Sequence, residues 1–148
     1  MNRNAVCVMV MLTVAPIAAA TALVAHDPAP WGGSLNPLAV IVMALFGLLT
    51  VPLWFTYVPA LILTPKIMHK ISRRPFFRTT PAPLLMVVSL AVGPVAGVLI
   101  MAPILFPALA DRNFQALTDW VIAGAVSGAI TLAVLTLLYR LNNAPQTD

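Results

Sequence analysis

Four residues have the chemistry to hold a metal ion between them: His26, Asp27, Asp111 and Asp119. One imidazole and three carboxylates make an N/O donor set of the kind divalent first-row metals accept. Their spacing does not demand such a site. His26 and Asp27 are neighbours in one polar stretch, Asp111 stands in a second, and Asp119 follows inside an apolar run. They read as residues of two short loops, and no metal is expected. Asp119 is the single carboxylate inside an expected membrane span, and cation-coupled transport usually needs an ionisable group within one. It is read as a first-turn residue favoured by the helix dipole. His69 stands among Lys66, Lys70, Arg73 and Arg74 and is assigned to a solvated face. Cys7 is the only cysteine, so neither an internal disulfide nor a cysteine-built metal site is open to the chain. No nucleophile with an adjacent base, phosphate-binding loop or carboxylate pair is found. The sequence therefore predicts neither catalysis nor a cofactor.

A second set of spacings concerns packing. Ser89, Gly93 and Gly97 recur every four residues, as do Gly124 and Gly128. Small residues at this interval make a flat strip on one helix face, against which another backbone can come close. The two strips are expected to pack on each other within one chain, with a homo-oligomer interface as the alternative. Hydroxyls at Thr13, Thr21, Thr50, Thr56, Ser127, Thr131 and Thr136 can bond to their own helices, so they do not imply a solute path.

The charge lies elsewhere. Lys66, Lys70, Arg73, Arg74 and Arg78 supply five of the eight Lys and Arg residues. They interleave with Leu61, Ile62, Ile67, Met68 and Ile71 at roughly helical spacing, which predicts an amphipathic segment over residues 60–74 lying in the membrane surface. Anionic lipid on the cytoplasmic face attracts such a segment by about 1 kcal/mol per basic residue. The same stretch is the expected contact for a cytosolic partner, and a membrane-protein partner or a second copy of the chain is expected through helix contacts. The net charge of +4 is concentrated here and reports orientation, so nucleic acid is not expected as a partner.

The elements that carry these residues follow from composition. Of 148 residues, 61% are hydrophobic and 8% charged, with mean hydropathy +0.98. That is too little polar surface for a soluble domain. The fold class expected is an all-α integral membrane protein: a single membrane domain with four transmembrane helices at residues 5–25, 38–58, 84–109 and 117–138. Residues 5–25 have a cleaved signal peptide as the competing reading, set aside because twenty-one uncharged residues exceed the usual signal core. Residues 26–37 carry no Lys or Arg and break helix with Pro and Gly, so they read as an external loop with Trp31 at headgroup level. Trp54, Phe55 and Tyr57 are assigned to the inner rim of the second crossing.

With residues 66–78 inside, both termini are inside too, and two antiparallel hairpins are joined by the basic cytoplasmic segment. Arg3 and Arg140 then join the five loop cations, leaving Arg112 alone outside. The expected location is the cell (inner) membrane. The function expected is a small non-catalytic accessory or regulatory subunit acting through helix contacts; the alternative is an oligomeric channel or transporter for a neutral or hydrophobic solute.

Overall fold

The computed structural model describes residues 3–27, 30, 36–49 and 51–141, the side chains of Arg3, Arg78 and residues 51–55 excepted. The described chain is all-helical: α1 (Arg3–His26), α2 (Pro37–Leu49), α3 (Val51–Ser72), α4 (Pro75–Thr79), α5 (Ala82–Ala110) and α6 (Phe114–Leu141). Runs of Ala, Leu and Met favour helix, and in hydrocarbon a helix is the one single-segment structure that satisfies every backbone group. Helices α1, α5 and α6 are each long and apolar enough to cross a membrane, whereas α2 is apolar but has only 13 residues. Large apolar side chains face outward, among them Val87, Leu99 and Phe106 on α5. Such a surface suits lipid, not water. The protein is a membrane protein built on these helices.

The region read as one crossing at residues 38–58, followed by a separate amphipathic segment at 60–74, is organised differently. Helix α2 ends at Leu49, and α3 starts at Val51 and runs without interruption through Pro59 and Pro65 to Ser72. Helix continues through Pro16 and Pro94 as well. Thr50, between α2 and α3, lies outside the described residues. Downstream, α3 turns Thr56, Ala60, Met68 and Ser72 inward and Leu63, Ile67 and Ile71 outward. These rows follow one helical period, so the amphipathic segment is the second half of α3. Arg73 and Arg74 form the turn, and Pro75 opens α4 at its first position.

A tight turn joins α5 to α6. Arg112 takes the left-handed conformation, with φ 53°. Its amide donates to Leu109 O (3.1 Å), and the Asn113 amide donates to Ala108 O (3.0 Å). This pair of bonds is the Schellman arrangement that closes a helix C-terminus. Asn113 then opens α6, its side-chain Oδ1 accepting from the Ala116 amide at 3.1 Å.

Helices α5 and α6 share the most extensive contact, and α1 packs next on α6. Helix α2 lies on the second half of α1, where Ala39, Val40 and Ala44 cluster with Ala20 and Val24. At the other end Cys7, Met11, Ala60, Met68, Phe77, Leu85, Leu135 and Tyr139 form one core, drawn from α1, α3, α4, α5 and α6. The bundle thus has a basic end, with Lys66, Lys70, Arg73, Arg74 and Arg140, and a hairpin end, with His26, Arg112 and Asp119.

Candidate functional site

The α5–α6 seam brings the small residues into backbone contact. Ser89, Gly93, Gly97 and Gly124 are buried there, and Gly128 lies among them half-buried. A methyl group built on Gly97 would collide with the Gly124 carbonyl, and one built on Gly128 with the Gly93 carbonyl. One on Gly93 would lie 2.5 Å from Ala129 Cα. Gly124 is different: its added methyl would stand 3.1 Å from Gly97 O and from the flexible Met101 side chain. Toward the basic end the seam closes with a hydrogen bond between the Ser89 and Thr136 hydroxyls, 2.8 Å long.

At the basic end, Lys66, Lys70, Arg73 and Arg74 are exposed. Lys66 and Lys70 make a row on α3 beside the outward row of Leu63, Ile67 and Ile71. The Arg140 guanidinium, at the end of α6, donates through Nη1 to the Phe77 carbonyl and ties α6 to α4. Phe77 itself is buried and Phe76 exposed, so only one of the pair faces outward.

Of the four residues at the hairpin end that could make an N/O site, two meet. His26 Nδ1 lies 3.1 Å from Asp119 Oδ1, joining the end of α1 to α6. Among the described residues, no group of three or more His, Cys, Asp or Glu side chains is placed to hold a metal. Asp119 stands in the second turn of α6, not the first, and its side chain is 31% exposed. The six-residue lead from Phe114 places it further along the helix than a dipole-favoured first-turn residue.

An open groove of about 700 Å³ runs between α1 and α6 along Val14, Ala18, Ala25 and Val126, and two adjoining, more enclosed cavities lie along the inner face of α1. The smaller, about 110 Å³, is walled mainly by Met11, Ala15, Thr64, Ser127, Thr131 and Leu135. Ser127 Oγ donates to Gly124 O at 3.2 Å, while the buried Thr131 hydroxyl has no partner among the described residues. The larger, about 340 Å³, is walled by Pro16, Ala20 and Leu23 of α1, by Met43 and Ala44 of α2, and by Asp119 and Trp120 of α6. Tyr57 and Met101 belong to both walls and stand between the two spaces. Tyr57 therefore faces the interior, although its aromatic type and position suggest a rim residue. Nothing in the periodicity of the sequence signals these cavities, because each is walled by residues of several helices.

Comparison of the chain with protein-family models, with curated proteins and with solved structures finds no match.

Proposed function

We propose that the chain is a four-crossing protein of the cell (inner) membrane with both termini cytoplasmic, in which α2 and α3 together make the second crossing. It acts without catalysis, through helix contacts, as an accessory or regulatory subunit of a membrane complex. Its basic end contacts anionic lipid on the cytoplasmic face. The observation that supports this reading best is the outward face of α3. A row of ammonium groups beside a row of aliphatic side chains fits the boundary between headgroups and acyl chains. Helix α3 is also the long helix with the least contact to the rest of the bundle, which leaves that face open to a second membrane protein.

Purification from native membranes in mild detergent, followed by native mass measurement, tests both halves. The expected result is a stoichiometric membrane-protein partner together with retained anionic phospholipid. Lys70, Arg73 and Arg74 changed together to Gln should reduce the retained phospholipid severalfold, and Ile67→Lys should detach the partner. A monomer whose lipid content ignores the triple substitution and added salt would refute the reading.

A second reading, an oligomeric channel or transporter for a neutral or hydrophobic solute, draws support from the hydroxyl-bearing cavity at Ser127 and Thr131. It requires solute flux in proteoliposomes that Thr131→Val alters.

A further inference from the structure

The larger cavity has a chemistry that helix packing alone does not call for. At about 340 Å³ it falls within the size range of small-molecule sites, which are mostly apolar with a few placed polar groups. Its aliphatic wall comes from α1 and α2. Against that wall stand one carboxylate, Asp119, and two half-buried aromatic rings, Tyr57 and Trp120. A carboxylate bordering an apolar space in a membrane helix is costly to maintain and marks a functional position. Among the described residues its partner is His26, whose imidazole reaches it from the edge of the bundle.

We propose that this cavity binds a lipophilic organic monocation, with the cationic centre beside Asp119, Trp120 and Tyr57 and the apolar body against Ala20, Leu23 and Ala44. The inference goes beyond helix contact and stands independently of any partner. Charge selects the occupant. An acyl chain filling the space would gain nothing from the His26–Asp119 pair at its edge, whereas a cation can replace the imidazole on the carboxylate. Inorganic cations such as Ca²⁺ need six or more oxygen ligands, and this wall is aliphatic. An organic cation needs one counter-charge, aromatic rings to meet its positive surface and an apolar wall for the rest. All three are present. Because His26 is already on Asp119, the ligand's charge takes the place of the imidazole and does not add to it.

The probe is benzyltrimethylammonium, with its neutral carbon isostere neopentylbenzene as control. The full chain carrying Trp31→Phe and Trp54→Phe, purified in non-ionic detergent, reports binding through Trp120 fluorescence. Thermal stability of the unsubstituted chain provides a second readout. The ammonium should quench Trp120 saturably and raise the melting temperature, and the neutral isostere should do neither. Asp119→Asn should weaken binding by about tenfold or more. His26→Ala removes the same ion pair but keeps the carboxylate, so its affinity should be unchanged or tighter. The proposal is overturned if the isostere binds as well, if no saturable quenching is seen, or if His26→Ala weakens binding as much as Asp119→Asn. The last outcome would mean that Asp119 serves only to hold α1 against α6.

Discussion

The Ser89 and Thr136 hydroxyls lie 2.8 Å apart in the buried seam between α5 and α6. Ser89 directs its own proton to the Leu85 carbonyl, also at 2.8 Å, so Thr136 is the donor of the interhelical bond. Hydrogen bonds between membrane helices average about 0.6 kcal/mol by double-mutant cycle, with a maximum near 1.7. A cycle of Ser89→Ala and Thr136→Val, read by thermal unfolding in detergent, should give a coupling energy in that range. Additive effects of the two substitutions would mean that the contact contributes nothing to stability.

The four seam glycines should not tolerate alanine equally. Gly97→Ala and Gly128→Ala drive a methyl group into a facing carbonyl, and the backbones must separate. Overpacking of this kind costs about 1–3 kcal/mol. Gly124→Ala meets Gly97 O at 3.1 Å and a movable Met101 side chain, so its loss should be clearly smaller. Thermal melts of the three variants in one detergent make the comparison, and equal losses would contradict the asymmetry.

Arg112 holds a conformation that glycine adopts without penalty and other L-residues adopt at a cost of about 1–2 kcal/mol. Arg112→Gly should therefore raise stability by roughly 1 kcal/mol, the entropy of a more flexible unfolded chain offsetting part of the gain. Asn113→Ala removes the side-chain cap of α6 and should lower stability by about 1 kcal/mol. Opposite signs at adjacent positions, measured by thermal unfolding, are the signature of this turn.

Orientation can be read with thiol reagents once Cys7, which is buried, is replaced by Ser. Gln115 is exposed beside the α5–α6 turn, and Arg73 is exposed at the basic end. Ser72, one residue earlier, is buried and donates to the His69 carbonyl, so it makes a poor reporter. Gln115→Cys should react with an impermeant reagent from outside intact cells, and Arg73→Cys only after permeabilisation. The reverse pattern would invert the proposed topology.

How far the sequence could be read depended on whether the signal was periodic. Runs of apolar residues place α1, α5 and α6 within a few residues of their ends, because hydrocarbon thickness sets a minimum length. The four-residue spacing of Ser89, Gly93 and Gly97 marked a face that meets Gly124 and Gly128 in the fold. The run of α3 through Pro59 and Pro65 to Ser72 was not legible, since nothing local tells a proline that ends a helix from one accommodated inside it, as Pro16 and Pro94 also are. Tyr57 and Asp119 illustrate the other limit. Whether an aromatic ring or a carboxylate at a helix end turns to water or to a cavity depends on neighbours from other helices. His26 and Asp119 stand ninety-three positions apart in the chain, and no local pattern connects them.

The two halves of the bundle should respond differently to a change in membrane thickness. With no side chain between them at Gly97 and Gly128, α5 and α6 move as one strut. At 29 residues, α5 is about 43 Å long, well beyond a hydrocarbon core of about 30 Å. Such a strut answers a thinner bilayer chiefly by tilting. Helix α3 shares far less contact with α1, α5 and α6 than α5 and α6 share with each other. It is expected to re-seat against the tilted pair, so that the sparse α3 face takes up a change in thickness that the glycine seam does not.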